Sequence, residues 1–166
     1  MRKTTYTLAI ILSLTSISAY AGKLIQIDIM DPQGKVTAIA GTVNLENTAY
    51  GLLLTPALSK LPPGLHGFHV HEHPNCDHAG MAAGAHLDPA KTGKHLGPYD
   101  DSGHLGDLPV LYVDSKGNAT VPVLAPKLTA EQVDGHALMI HEGGDNYTDK
   151  PKLGGGGNRI ACGVVK

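Results

Sequence analysis

"LIQIDI" at residues 24–29 places Ile25, Ile27 and Ile29 on one face of the chain and Gln26 and Asp28 on the other. A period of two belongs to a half-buried β-strand, since a helix would space its apolar residues three and four apart. Asp31, Pro32, Gln33 and Gly34 follow as a turn. The same reading extends outward to "KVTAIAGTVNL" (35–45), "YGLLLT" (50–55), "LHGFHVHE" (65–72), "VLYV" (110–113), "ATVPVLA" (119–125), "HALMIHE" (136–142) and "RIACGVV" (159–165). "DSKGN" (114–118) supplies a hairpin turn between two of them. "LTAEQV" (128–133) has room for a helical turn or two, and no longer amphipathic helix stands out. Eight short strands with turns between them predict an all-β antiparallel sandwich or barrel, in one domain without internal repeats.

The chain has 166 residues, 42% hydrophobic, with formal charge −2. Composition of that kind excludes a disordered chain and gives no sign of a nucleic-acid binder. At the N-terminus Arg2 and Lys3 precede an apolar run from Leu8 to Ile17 and the small-x-small site Ala19-Tyr20-Ala21. This pattern reads as a cleavable secretory signal peptide over residues 1–21, leaving 22–166 as the mature domain with no stable membrane anchor. The apolar run is shorter than the roughly 20 residues a spanning helix needs. Cleavage removes two basic residues and no acid, so the mature chain carries −4. Export to an oxidising compartment favours a disulfide, and Cys76 and Cys162 are the only two cysteines. Closing that loop contributes roughly 4 to 5 kcal/mol on the chain-entropy model.

Residues 73–108 show no apolar period and contain nine glycines and prolines, which predicts a loop of some 35 residues. Loops of that length in compact domains are commonly functional. His69 and His71 in "FHVH" share one strand face, about 7 Å apart, and can reach one ion together. His73 would stand about 13 Å from His69 if the strand continued, and Pro74 suggests that it does not. His66 has the opposite parity and is expected to face the other way. Farther on come His86, His95, His104, Asp107 and His141. Histidines with one carboxylate suit zinc or copper, whereas calcium and magnesium call for oxygen donors. "GGGG" (154–157) lacks the Lys-Ser/Thr pair and following helix of a phosphate-binding loop.

"GFHVHE", "GAHLDP", "KHLGP", "HLGDLP", "HEGGD" and "NRIACGVV" occur in this order, and together the chain resembles the copper/zinc superoxide dismutases in their bacterial secreted form. The resemblance covers essentially the whole mature chain. It implies an eight-stranded antiparallel Greek-key barrel with a long metal-binding loop and a second active-site loop. By motif, His69, His71, His86 and His141 resemble the ligands of one copper. His86, His95, His104 and Asp107 resemble those of one zinc, with His86 bridging the two. Asp145 resembles the outer carboxylate that joins His69 to His95, and Arg159 the arginine at the mouth of the copper site. Cys76 and Cys162 resemble the family's disulfide, which pins the loop after "FHVHE" to the strand bearing Arg159.

The implied reaction converts superoxide and protons to dioxygen and hydrogen peroxide in the periplasm, with Arg159 and His86 as catalytic residues. His86 is expected to deliver a proton to the forming peroxide. Lys60, Lys91, Lys94, Lys150 and Lys152 are candidate outer guides for the anion. The late loop, "GGDNYTDKPKLGGGGN" (143–158), departs from the animal-type enzymes. A rival reading is a periplasmic copper or zinc buffer or delivery domain that keeps the fold without turnover. Monomer and homodimer both stay open, and His73 and His78 are expected to lie outside the site.

Overall fold

The computed structural model describes residues 22–166; the signal peptide expected at 1–21 lies outside them. Strands β1 (Lys23–Met30), β2 (Val36–Thr48) and β3 (Gly51–Leu58) form an antiparallel meander. After them come β4 (Gly64–His66), β5 (Phe68–His71), β6 (Leu111–Val113), β7 (Val123–Ala125), β8 (Ala137–His141) and β9 (Arg159–Val164). Seven of these make one sheet in the order β5-β8-β9-β1-β2-β3-β7, and β4 pairs with β6. Every strand pairing is antiparallel. The neighbours β5/β8, β9/β1 and β3/β7 are not consecutive in sequence, as Greek-key crossovers require.

One apolar core closes the architecture. Ile25 and Ile27 of β1 meet Val43 and Leu45 of β2, Leu52 and Leu54 of β3, Phe68 and Val70 of β5, Leu111 and Val113 of β6, and Leu138 and Ile140 of β8. Both sheets contribute to it, so the large sheet curls around a single interior. Each such side chain, fully buried, stabilises by about 1.5–3 kcal/mol. Met30, with parity opposite to Ile27, instead joins Met139, Ala137 and Cys162 in a second cluster. A bulge between Ile27 and Asp28 faces Gly41 at φ +143°, where an added Cβ would lie 2.0 Å from the Ala57 carbonyl oxygen. Only glycine fits that close crossing.

Two expectations need correction. The strand read over 65–72 is two strands, because Gly67 leaves the β6 partner: it donates to the Gly143 carbonyl and accepts from His141 N–H, each at 2.8 Å. The described residues therefore hold nine strands rather than eight. The turn at 114–118 forms, with Asp114 N–H donating to the Asn118 carbonyl at 2.8 Å. Its flanks, however, make no hairpin: β6 pairs with β4 and β7 with β3. Alternation reveals strands but not partners, and here the turn sits where the chain passes from one sheet to the other.

The long loop lies along the outer edge of β5. Val70 N–H donates to Gly106 O and Leu87 N–H to Val70 O, both at 2.8 Å, and Glu72 N–H donates to Ala85 O at 3.0 Å. Single β-bridges also tie His69 to Asp107 and His71 to His86. Backbone pairing thus carries the loop's histidines to those of the strand.

Candidate metal centre

β5 buries Phe68 and Val70 in the core and turns His69 and His71 to the other face. β8 brings His141, the loop between β5 and β6 brings His86, His95, His104 and Asp107, and the segment after β8 brings Asp145. His69, His71 and His95 are fully buried, and His86, His104, Asp107 and His141 are nearly so. Eight side chains that the sequence scatters over 77 positions gather in one place.

Their hydrogen bonds divide each ring into an outer and an inner nitrogen. The outer nitrogens donate to protein acceptors: His69 Nε2 and His95 Nε2 to the two Asp145 oxygens, each at 2.8 Å, His71 Nδ1 to Gly84 O at 3.0 Å, and His141 Nδ1 to Gly157 O at 3.2 Å. Such donations fix the tautomer and leave the other nitrogen with a lone pair. Those inner nitrogens are His69 Nδ1, His71 Nε2, His86 Nε2, His141 Nε2, His95 Nδ1 and His104 Nδ1, all buried and without a hydrogen-bond partner. Leaving one such group unpaired costs about 1–3 kcal/mol. Six unpaired together fit a cluster whose missing partners are cations.

Two sets of converging ligand atoms result. His69, His71, His86 and His141 offer atoms within 4.8 Å of one another, and so do His69, His86, His95 and Asp107. His86 belongs to both, with Nδ1 2.9 Å from Asp107 Oδ1 and Nε2 directed to the other side. The second set differs from the expected one by holding His69 in place of His104. His69 stacks on His86, ring centres 3.9 Å apart, which brings it within range. Its Nε2 is committed to Asp145, so its one remaining nitrogen can serve only one ion. His104 Nδ1 stands 3.4 Å from Asp107 Oδ1 and is itself unpartnered, so it can complete the second set. Four imidazoles suit copper, and three with one carboxylate suit a closed tetrahedral zinc site.

Electrostatics support cation binding. Burial lowers His69 to about 3 and His141 to about 4, and also lowers His71 and His86. These rings are neutral at pH 7, as ligands must be. His95 goes the other way: burial alone would lower it, but the carboxylates of Asp107 and Asp145 beside it outweigh that and raise it to about 9. Its Nδ1 lies 3.0 Å from Asp107 Oδ2, out of line for a hydrogen bond. Between two carboxylates a proton occupies the position that suits a divalent cation. Asp107 is held well below the usual carboxylate range, despite its burial, by the His104, His86 and His95 rings gathered around it.

Arg159 begins β9, opposite His141 in the register. Its guanidinium donates to Gly80 O and, at 2.7 Å, to Gly84 O. Cys76 and Cys162 are joined, their Cα atoms 5.9 Å apart, so the loop that binds Arg159 is tied to the strand that carries it. His73 and His78 are exposed and belong to neither set. Lys60, Lys91, Lys94, Lys150 and Lys152 are all exposed.

Sequence reasoning did not find the partners of four neighbours of the site. His66, turned away from His69 by parity, is buried, its ring nitrogens 2.7 Å from the carbonyl oxygens of His141 and Pro62. Lys127 Nζ donates to Asp100 O at 2.6 Å and reaches Gly97 O and His104 O at 3.4 and 3.3 Å. Tyr147 accepts Val110 N–H at 2.9 Å and donates its own N–H to Asp145 Oδ1 at 2.8 Å. Gly154, at φ +69°, passes so close that a Cβ would come within 1.9 Å of Asp145 Oδ1. Three of these act on backbone carbonyls or by close approach, and sequence patterns carry no sign of either.

Fold and site together define an antiparallel β-barrel protein built around a histidine-bridged pair of metal-binding clusters. The model of the copper/zinc superoxide dismutase family matches residues 39–165, and the chain belongs to that family. The superoxide dismutase [Cu-Zn] of Actinobacillus pleuropneumoniae is 50% identical over 153 residues, covering 86% of this chain and 80% of that protein. Among solved structures, the Brucella abortus Cu/Zn superoxide dismutase superposes with a TM-score of 0.82 at 41% identity, over 87% of this chain and 99% of that one. The monomeric copper, zinc superoxide dismutase of Salmonella enterica gives 0.78 at 51%, over 88% and 100%.

Proposed function

We infer that this chain dismutates superoxide outside the cytoplasm, with copper held by His69, His71, His86 and His141 and zinc by His86, His95, His104 and Asp107. The observation that carries the reading is the set of six buried, unpartnered ring nitrogens directed inward as two groups that share His86. When bound, copper supplies the alternating one-electron transfer by which two superoxide anions and two protons become dioxygen and hydrogen peroxide. The protein provides the rest. Arg159, fixed by the Gly80 and Gly84 carbonyls, offers a positive charge beside His141 at which the anion is guided and held. His86 Nε2, directed to the copper side, would hold and deliver a proton whenever it is not a ligand. Asp145 sets His69 and His95 together, coupling the alignment of one half to the other.

A metal buffer or delivery domain without turnover has no need of the arginine, and here every nitrogen of the copper set and Arg159 are in place. The deciding experiment is superoxide removal by metal-loaded mature protein, which should exceed a free-copper control by orders of magnitude; parity with free copper would sink the reading. Export to the periplasm rests on the signal pattern at residues 1–21 and on the Cys76–Cys162 disulfide. Cleavage after Ala21 leaves Gly22 as the first residue of the secreted protein, which N-terminal sequencing reads directly. Among the described residues no helix is long and apolar enough to cross a membrane.

A further inference from the structure

Beside His86 and His104 lies a cleft of about 310 Å³, with Glu72, Asp88 and Lys91 also in its walls. His86 and His104 line it, 2% and 8% exposed, and His104 Nδ1 has no hydrogen-bond partner. Two carboxylates and one ammonium stand around it. Glu72 is fixed by Ala85 N–H at 3.1 Å, and Asp88 by Gly93 N–H at 2.8 Å and the Thr92 hydroxyl at 3.2 Å. Lys91 caps the same turn, its N–H donating to Asp88 O at 3.0 Å and its side chain exposed. A separate cavity at Arg159, lined by Pro32, Ala79, Met81, Gly157 and Asn158, shares no residue with it. The two cavities differ in charge, carboxylates standing at the first and Arg159 at the second.

We propose that the cleft beside His86 and His104 is the loading route for the divalent cation of the Asp107 half, drawn in by Glu72 and Asp88 and opposed by Lys91. His104, the most exposed member of that half, takes the incoming ion first and passes it to His86, His95 and Asp107. The same carboxylates repel superoxide, so cation and anion traffic use different cavities. The route rests on the ligand assignment made above.

The test uses the mature, disulfide-bonded protein stripped of metal, with Co2+ as the probe, because tetrahedral cobalt shows its arrival by visible absorption. Asp107→Ala identifies the part of the signal that belongs to this half. Rapid mixing at low ionic strength should show uptake about 3–10-fold faster in Lys91→Glu and several-fold slower in Glu72→Gln, with both differences shrinking at high salt. The final cobalt absorption should be unchanged in both variants, and so should the rate at which Cu2+ fills the four-histidine half of zinc-loaded protein. Full Asp107-dependent absorption reached at unaltered rates in both variants overturns the route and leaves the ligand set standing. Absence of any Asp107-dependent absorption overturns the two together.

Discussion

Asp145 presents one carboxylate oxygen to His69 and the other to His95, both at 2.8 Å, from a side chain with no exposed surface. Asn at this position keeps the shape but turns an N–H donor toward one of the two imidazole N–H groups. Asp145→Asn should therefore weaken metal retention by roughly 10–100-fold, the usual effect of losing a carboxylate behind a ligating histidine, as read by competition with a chelator. Loss at both halves is expected, because the proposed assignment gives the two histidines different ions. His86→Ala should lower the content of both metals per chain, whereas His73→Ala should leave both near one; copper loss in His73→Ala would refute the strand-parity reading. At this scale the sequence was readable where residue type and spacing coincide, as in His69 and His71. It turned His66 away from His69 without finding its partners and was silent on Lys127, because both are held by backbone carbonyls made available only by the fold.

At the scale of the element stands the loop after β5, pinned at Cys76 and grasped by Arg159 at Gly80 and Gly84. Replacing both cysteines by serine frees a loop closed across a separation of 86 residues. The change should cost about 4–5 kcal/mol on the chain-entropy account. Calorimetry reads that cost as a lower Tm. Activity per bound copper should fall as well, since Arg159 loses the fixed carbonyls that aim it; unchanged specific activity would show that the arginine holds its place alone. Strand positions were legible because burial imposes a period of two on Ile25, Ile27, Val43, Leu45, Leu52 and Leu54. The break at Gly67 and the parting of β6 from β7 were not, since pairing depends on partners far along the chain.

For the molecule as a whole, titration of the metal-free protein has a definite sign. His69 and His141, lowered to about 3 and 4, and His71 and His86, also lowered, bind fewer protons folded than unfolded below pH 6.5. Stability therefore falls as pH drops from 6.5 toward those values, each group contributing at most about 1.4 kcal/mol per pH unit. His95, raised to about 9, adds stability that is complete below 6.5 and lost as pH rises through 9. The Tm of metal-free protein should peak near neutrality and decline more steeply on the acid side. Bound metal should raise the whole curve, by the logarithm of its concentration over Kd; a Tm indifferent to metal would contradict ligand binding by the folded state alone.

β5 ends the seven-stranded sheet, and its outer hydrogen bonds go to Leu87, Ala85 and Gly106 of the loop that supplies His86, His104 and Asp107. An unpaired sheet edge is a template for another chain. Cations held by His86, His104 and Asp107 would add a second fastening to that cover, so metal-free protein should aggregate more readily than loaded protein, as light scattering reads.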